Sequence, residues 1–164
     1  MTKLNILGGL MLEIGSTPDL KFEDTEGQPL SLADFKGKDN VLIYFMRALS
    51  CAQCNAHVQS FIKNQSEFDA AGVKIVVAVP EDLKDAAAWK ARKNIPYPVV
   101  AGAAGTPHES VGLLRKVFGT LQQSGTILLD STGAVRYTQV STVPTTSYNR
   151  PEMATALAAL APIS

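Results

Sequence analysis

Residues 41–62 read VLIYFMRALSCAQCNAHVQSFI, and this stretch decides the fold. Its first six residues form a continuous apolar run, which is typical of a strand buried on both faces of a sheet. A short polar turn follows, after which apolar side chains recur at helical spacing. The stretch therefore predicts a strand over 41–46 and a helix that begins at Cys51 and ends near Ala71, with Gly72 as its C-terminal cap.

Both cysteines of the chain, Cys51 and Cys54, stand at C-x-x-C spacing where this helix is predicted to begin. The first turn of a helix carries unpaired N–H groups and a partial positive charge, which favour a thiolate at Cys51. Cys54 falls on the helix face that also carries Val58 and Phe61. We therefore expect Cys54 to be buried and Cys51 to be the more exposed and more acidic thiol. The strand–turn–helix context favours a redox pair, with plain structural cysteines as the alternative.

The two histidines raise the question of a metal site. Cys51, Cys54 and His57 would supply three zinc ligands on one helical turn. A structural zinc site needs four ligands, however, and His108 is distant in sequence. The sequence therefore predicts neither a metal site nor a cofactor. We interpret His57 as a solvated helix residue, with a role as a base as the alternative, and His108 as a surface residue.

The composition limits the partners that the chain can be expected to have. The 164 residues suit one domain with a full core. Lys and Arg number 15, as do Asp and Glu, so the zero net charge gives no reason to expect nucleic acid or an anionic membrane as partner. No apolar run has the length of a membrane span. The cysteine usage favours a reducing cytoplasm, in which a C-x-x-C pair is more often catalytic than a structural disulfide.

The remaining patterns predict an α/β fold in a single domain over 15–164, preceded by an N-terminal arm over 1–14. This arm is expected to pack on the domain or on a second subunit, as in a homodimer. Further predicted elements are a hairpin within 15–38, strands at 73–79, 95–101, 126–129 and 135–140, and helices at 81–93, 106–118 and 151–161. The strand–helix–strand succession from residue 41 indicates a βαβ unit with parallel strands. The prolines at 96 and 98 favour an edge-like strand over 95–101, and Trp89 is expected to pack between helix and sheet.

Three stretches resemble peroxiredoxins and related redoxins of the AhpC/TSA class. Residues 15–38, which contain GSTPDL and LSLADFKGK, are similar to the N-terminal segment of the class. Residues 45–54, FMRALSCAQC, are similar to the F-Y-R-G-x-W-C-P-x-C motif of one peroxiredoxin-like branch. Residues 126–136, TILLDSTGAVR, resemble the late hairpin of the class. The resemblance extends over about 15–160 and implies a thioredoxin-like fold with a mixed central sheet, flanked by helices and preceded by a β-hairpin.

The active-site stretch departs from the peroxiredoxin pattern at identifiable positions. The signature of that family has Pro and Thr seven and three residues before the reactive Cys, where this chain has Tyr44 and Ala48. The Arg that the family carries near its late strand has no counterpart at 122–124. Arg47 could replace its charge, as could Arg115, although Arg47 could equally be solvated or paired with an acid. Thioredoxins also place a cis-Pro opposite the cysteine pair, and residues 124–125 here are Ser and Gly.

Three functions are compatible with these observations. The resemblance implies a peroxidase in which Cys51 attacks a hydroperoxide, Cys54 closes a disulfide with it, and a thiol donor of the thioredoxin or glutaredoxin type restores both. The second is a thiol–disulfide oxidoreductase that acts on protein disulfides. The third is a sensor or binding redoxin without efficient turnover. The candidate catalytic residues are Cys51, Cys54 and Arg47, with Arg47 as the candidate to activate peroxide in the first function.

Overall fold

The computed structural model describes residues 13–102, 107–111, 115–116, 121–141 and 147–160. Within these ranges the chain forms nine strands, five α-helices and a short 3-10 helix at Leu32–Asp34. In chain order the strands and α-helices are β1 (Lys21–Asp24), β2 (Pro29–Ser31), β3 (Asn40–Phe45), α1 (Ala52–Lys63), α2 (Gln65–Ala70), β4 (Val73–Ala78), α3 (Leu83–Lys93), β5 (Val99–Gly102), α4 (Pro107–Ser110), β6 (Arg115–Lys116), β7 (Leu121–Gln122), β8 (Ser124–Leu129), β9 (Val135–Ser141) and α5 (Arg150–Ala158). None of these helices combines the length and apolarity needed to cross a bilayer.

Seven of the strands form one mixed sheet in the order β2–β1–β5–β4–β3–β8–β9. The three central strands β5, β4 and β3 are parallel, and β3 and β4 are joined through α1 and α2. The outer strands run antiparallel to their neighbours. The predicted N-terminal hairpin, the parallel strand–helix–strand unit and the late hairpin are all confirmed.

Strand β3 contributes side chains to cores on both faces of the sheet, as its continuous apolar run predicts. On one face its residues pack with α1, α2, α3 and α5, and on the other face with the 3-10 helix and the first residue after α4. The side chains on the helix-rich face are Leu42 and Tyr44, followed just beyond the strand by Met46. Those on the opposite face are Val41, Ile43 and Phe45. The end of β3 therefore lies at the centre of the molecule, and the loop that leaves it starts from a buried position.

The helix predicted to run from Cys51 to Ala71 is divided at Asn64. Helix α1 ends at Lys63, and Asn64 leaves the helical region with φ −107° and ψ 25°. The Asn64 side chain donates from Nδ2 to the carbonyl of Ser60 at 2.8 Å. Asn side chains compete in this way with backbone hydrogen bonds, which explains why the helix ends here and restarts as α2.

Strand β5 lies inside the sheet, so the prediction of an edge-like strand is wrong. It pairs with β4 on one side and with β1 on the other. Its prolines, at 96 and 98, precede the paired residues, and the carbonyl of Pro98 still accepts from the N–H of Val77 at 3.0 Å. A proline lacks a donor but keeps its acceptor, so it can stand beside an internal strand.

The helix predicted over 106–118 is present only as α4. Arg115 and Lys116 instead pair with Gln122 and Leu121 of β7 in a separate two-stranded sheet, and this pairing with nearby residues replaces the helical preference. The rest of that prediction falls outside the described residues, as do residues 1–12 of the predicted arm. Gly15 donates to the carbonyl of Val135 at 2.7 Å and Val135 donates to that of Ser16 at 2.8 Å, so the domain starts along β9.

Gly125 provides a test of how closely β8 and β9 approach each other. A Cβ atom at this position would lie 2.3 Å from the backbone oxygen of Gln139. We expect Gly125→Ala to lower the free energy of unfolding by about 1–3 kcal/mol, because the backbone must shift to remove the clash. The measurement is the midpoint of urea unfolding.

The matched control is Ser124→Ala at the adjacent position. The Ser124 hydroxyl is buried without a hydrogen-bond partner among the described residues, so its removal should cost little stability. If Gly125→Ala were as stable as the wild type, the approach of β9 to β8 would be looser than the structure shows.

Candidate active site

The two cysteines lie where β3 gives way to α1, and Cys51 caps the helix. Its backbone is extended, with φ −69° and ψ 112°, and its sulfur accepts a hydrogen bond from the N–H of Cys54 at 3.2 Å. A side chain at the N-cap position normally satisfies one of the unpaired N–H groups of the first turn through oxygen. In this protein a sulfur atom does so, and it thereby lies beside the positive end of the helix dipole.

Burial of the pair differs from the sequence-based expectation for Cys51. Cys54 is fully buried, as predicted, but Cys51 is only 2% exposed, so the two thiols barely differ in access to solvent. The turn before Cys51 accounts for this burial, because Ala48 and Leu49 pack on the core to which the cysteines belong. Both cysteines are free thiols in this structure.

The environment of Cys54 holds it in the protonated form. Burial is the main cause that raises the pKa of the Cys54 thiol to about 11, and its hydrogen bond to Cys51 acts in the same direction. The backbone N–H of Arg47, which donates to the Cys54 sulfur at 3.4 Å, lowers the pKa, as does the Tyr44 hydroxyl. Cys54 is therefore a thiol at neutral pH, and Cys51 is the sulfur that can attack first.

The turn between β3 and α1 is held by side chains from other segments. Asn55 donates from Nδ2 to the carbonyls of Leu49 and Cys51, at 2.9 and 2.8 Å. Its Oδ1 accepts from the indole N–H of Trp89 at 2.8 Å. Glu81 accepts from the N–H of Leu49 at 3.0 Å. The predicted packing of Trp89 is confirmed, and its hydrogen bond to Asn55 shows that α3 also positions the active-site turn.

His108 lies in the core, so its interpretation as a surface residue is wrong. The side chain is fully buried, and its Nε2–H donates to the carbonyl of Met46 at 2.6 Å. Its ring also makes an edge contact with Phe45, with ring centroids 5.3 Å apart. The reason is tertiary, because α4 brings His108 against the last residues of β3 from a distant part of the chain.

His57 is half-buried and hydrogen-bonded, so its interpretation as a solvated residue is also wrong. The Tyr44 hydroxyl lies 2.8 Å from His57 Nδ1 and 2.8 Å from the hydroxyl of Ser147. The His57 ring also contacts that of Tyr148. Sequence reasoning missed this group, although a tyrosine within a fully buried strand is a signal, because a buried hydroxyl needs a partner.

The structure brings all three predicted site residues together at the end of β3. Arg47 follows the strand directly, and its Nε is buried without a hydrogen-bond partner among the described residues. The alternative that Arg47 is solvated therefore does not hold for its Nε atom. The side chain of Arg115 lies outside the described part of the chain. Within that part, no three potential metal ligands cluster in a way that could hold an ion.

The difference between the two thiols can be measured by alkylation of the reduced protein. With iodoacetamide at neutral pH, we expect Cys51 to be labelled before Cys54, because the raised pKa of Cys54 keeps it in the unreactive thiol form. Labelling of Cys54 should increase as the pH rises towards its pKa of about 11. Peptide mapping by mass spectrometry gives the two rates, and the urea-unfolded protein is the control. Faster labelling of Cys54 in the folded protein would contradict this assignment.

Comparison with known proteins gives one family match and a group of related sequences. The model of the AhpC/TSA family matches residues 15–138. Among the relatives, the chloroplastic peroxiredoxin Q of Sedum lineare is 29% identical over 123 residues, which are 74% of this chain and 66% of that protein. The chain thus spans less than two thirds of the length of this relative, and of several others.

Solved structures show the same architecture. Peroxidoxin BcpB from Mycobacterium tuberculosis superposes with a TM-score of 0.78 at 20% identity, covering 92% of this chain and 99% of that one. Peroxiredoxin Q from Xanthomonas campestris gives a TM-score of 0.69 at 23% identity, covering 92% and 95%. These similarities confirm the thioredoxin-like fold. Together with the family match over most of its length, they establish that the chain belongs to the AhpC/TSA family.

Proposed function

We propose that this protein is a thiol peroxidase in which Cys51 reduces hydroperoxides and Cys54 then forms a disulfide with it. The observation that carries the proposal is the position of the Cys51 sulfur. It lies at the positive end of α1, within hydrogen-bonding distance of the N–H of Cys54. The family match and the relatedness to peroxiredoxin Q support the same reaction class.

The reaction follows from the different environments of the two sulfurs. The Cys51 thiolate attacks the O–O bond of the hydroperoxide, an S–O bond forms, and the alcohol or water leaves after taking up a proton, so that Cys51 becomes a sulfenic acid. Cys54 then attacks the Cys51 sulfur, the S–O bond breaks, and water leaves as the disulfide forms. An external thiol donor of the thioredoxin or glutaredoxin type reduces the disulfide by exchange.

Two buried polar groups are candidates to bind the peroxide in place of the absent Thr. Arg47 Nε and the Ser124 hydroxyl both lack hydrogen-bond partners among the described residues. Arg47 follows β3, and Ser124 precedes Gly125, which pairs with Phe45 at the end of β3. Both residues therefore belong to the edge of the sheet from which the cysteine turn leaves. Arg47 carries the positive charge that would stabilise the alkoxide or hydroxide leaving group.

A thiol–disulfide oxidoreductase is the second candidate, favoured by the C-x-x-C spacing. The departure from the thioredoxin pattern opposite the cysteine pair argues against it. Residues 124–125 are Ser and Gly in the place of a cis-Pro, and the described residues contain no cis peptide bond. A sensor without turnover remains the third candidate. The thiol donor, the cytoplasmic location and a homodimer stay predictions.

Cysteine substitutions test the assignment of the two steps. With hydrogen peroxide, Cys51→Ser should give no oxidised product at the remaining cysteine on the time scale of the wild type. Cys54→Ser should stop after one oxidation, because the sulfenic acid at Cys51 has no partner. Stopped-flow oxidation with dimedone trapping and mass spectrometry distinguishes the products. Ser50→Ala, at an exposed neighbour, should turn over like the wild type. An unchanged first turnover in Cys51→Ser would exclude the proposed function.

The absent Thr hydroxyl gives a second test. A hydrogen bond made mainly in the transition state contributes about 2–4 kcal/mol. We therefore expect wild-type Cys51 to be oxidised more slowly than the reactive Cys of peroxiredoxins that carry the Thr. Ala48→Thr should increase the rate by at least about tenfold. Ala48→Val is the matched control, since it adds the same bulk without a hydroxyl. The rate of sulfenic acid formation is measured for all three proteins. If the Thr variant were no faster than the Val variant, the hydroxyl would not reach the peroxide.

A further inference from the structure

The hydroxyl of Tyr44 lies 2.8 Å from His57 Nδ1, and Tyr44 packs in the same core cluster as Cys54. We propose that Tyr44 and His57 form a proton relay that converts Cys54 into the thiolate needed to close the disulfide with Cys51. The proposal deepens the proposed function, on which it rests for the identity of the oxidant. It assigns a role to two residues outside the cysteine motif, one on β3 and one on α1.

Burial makes the deprotonation of Cys54 difficult, and the relay would provide the base that this step needs. Only the thiolate attacks efficiently, yet the pKa of Cys54 is raised to about 11, mainly by burial. At neutral pH a group with such a raised pKa is present almost entirely as the thiol. Cys54 is also inaccessible to bulk water, so a base in solution cannot take its proton directly. Disulfide closure at a useful rate therefore requires a base within the protein.

Tyr44 offers the required path for the proton. Tyr44 and Cys54 pack in the same core cluster, and the Tyr44 hydroxyl lowers the pKa of the Cys54 thiol. The same hydroxyl lies 2.8 Å from His57 Nδ1. Burial holds the pKa of Tyr44 far above its usual value, so the phenol stays protonated. A protonated hydroxyl can accept one proton while it donates its own, and so it connects the two groups without becoming charged.

His57 has the properties of the terminal base. Burial lowers the pKa of its ring, so the ring is neutral at neutral pH and Nδ1 can accept a proton. The side chain is only half-buried, so the proton can afterwards pass from the ring to solvent. A general base of this kind typically contributes about a hundredfold or more to a rate.

The groups that face His57 do not supply a competing charge. Tyr44 faces it from β3, Ser147 and Tyr148 face it from the segment before α5, and the two cysteines share its helical segment. Burial raises the pKa of Tyr148 to about 12, so it is neutral as well. The charges that act on Tyr148 are those of Arg150 and Glu67, which pair with each other at 2.8 Å.

Ser147 acts as a positioning residue for the relay. Its hydroxyl lies 2.8 Å from the Tyr44 hydroxyl and 3.4 Å from His57 Nδ1. Its carbonyl accepts from the Thr126 hydroxyl at 2.8 Å, which ties this segment to β8. The Tyr44 hydroxyl is thereby held between two partners on α1 and the segment before α5.

In the closing step the S–H proton of Cys54 moves to the Tyr44 oxygen as the Tyr44 proton moves to His57 Nδ1. The Cys54 electron pair forms the S–S bond with the sulfenic sulfur of Cys51. The S–O bond breaks, and hydroxide leaves as water with a proton from solvent or from the histidine. His57 becomes neutral again once its proton has passed to the leaving hydroxide or to solvent, and the electron pair of Cys54 reduces the sulfenic sulfur of Cys51 to the disulfide level.

The experiment measures disulfide closure from two starting states. In one, peroxide generates the sulfenic acid. In the other, methyl methanethiosulfonate converts Cys51 into a small mixed disulfide, and attack by Cys54 expels methanethiol without any peroxide chemistry. Quenched-flow mass spectrometry follows closure across neutral and alkaline pH. The proteins are the wild type, Tyr44→Phe and His57→Asn. Tyr148→Phe is the matched control, since it removes a phenol hydroxyl beside the same ring. Circular dichroism confirms folding of each variant.

We expect closure in Tyr44→Phe and His57→Asn to be at least about a hundredfold slower than in the wild type and in Tyr148→Phe at neutral pH. In both slow variants the rate should rise about tenfold per pH unit, because without the relay closure follows the equilibrium thiolate fraction of Cys54. Wild-type closure should change little with pH above the lowered pKa of His57. A merely structural effect of the substitutions would not change this pH profile.

The two starting states separate failure of the relay from failure of the proposed function. If closure from the mixed disulfide were equally fast and equally pH-dependent in all four proteins, the relay would be excluded. If peroxide failed to oxidise wild-type Cys51 while closure from the mixed disulfide still required Tyr44 and His57, the relay would stand and the peroxidase proposal would fall. If one variant fails to fold, the pH profile of the other still shows whether closure depends on the relay.

Discussion

The hydrogen bond from the N–H of Cys54 to the sulfur of Cys51 is the interaction on which the site depends. It caps α1 and thereby defines where the helix begins. It also keeps the two sulfurs on adjacent positions of one turn. A capping side chain cannot move far without leaving a backbone donor unsatisfied. The hydrogen bond that caps the helix therefore also fixes the position of the Cys51 sulfur.

The turn before Cys51 has one hydrogen bond of its own, from the N–H of Cys51 to the carbonyl of Ala48 at 3.1 Å, and its other contacts come from α1, the residues before α3, α3 itself and α4. Asn55 in α1, Glu81 before α3, Trp89 in α3 and His108 in α4 each bond to a group of this turn or to Asn55. Buried backbone groups outside secondary structure require such partners. The network also explains why both thiols are buried, because it folds the turn over the cysteines.

Both thiols are buried, but the groups around their sulfurs differ. Cys51 has the helix terminus and a donor N–H beside its sulfur, whereas Cys54 lies against β3 with its pKa raised to about 11. A resolving thiol with such a pKa is protected from direct oxidation but needs help to react. The polar group formed by Tyr44, His57 and Ser147 lies on the side of β3 that α1 covers. Tyr44 packs in the same core cluster as Cys54, where the proposed relay would use this polar group in the second step.

Local patterns account for most of the architecture. The apolar run over 41–46 determined the buried central strand, the helical spacing after Cys51 determined α1, and glycine and proline positions marked the hairpins. Each depends on neighbours along the chain, which a sequence shows directly. Two departures had local causes. At Asn64 a side chain competes with the backbone, and at residues 115–116 pairing with β7, a few residues further along the chain, replaces the predicted helix. For β5, pairing with the distant strand β1 decided the outcome.

For the site, the sequence by itself determined that Cys51 and Cys54 lie one turn apart at a helix start, that Cys54 is buried, and that Ala48 replaces a hydroxyl. Only the tertiary structure decided that Cys51 is buried, that His108 holds the end of β3, and that Tyr44 reaches His57 and Ser147. The physical reason is separation along the chain. Spacing predicts which residues share a helix face or a strand face. It does not show which side chain from another segment will satisfy a buried hydroxyl or carbonyl, because that depends on how the sheet and helices pack.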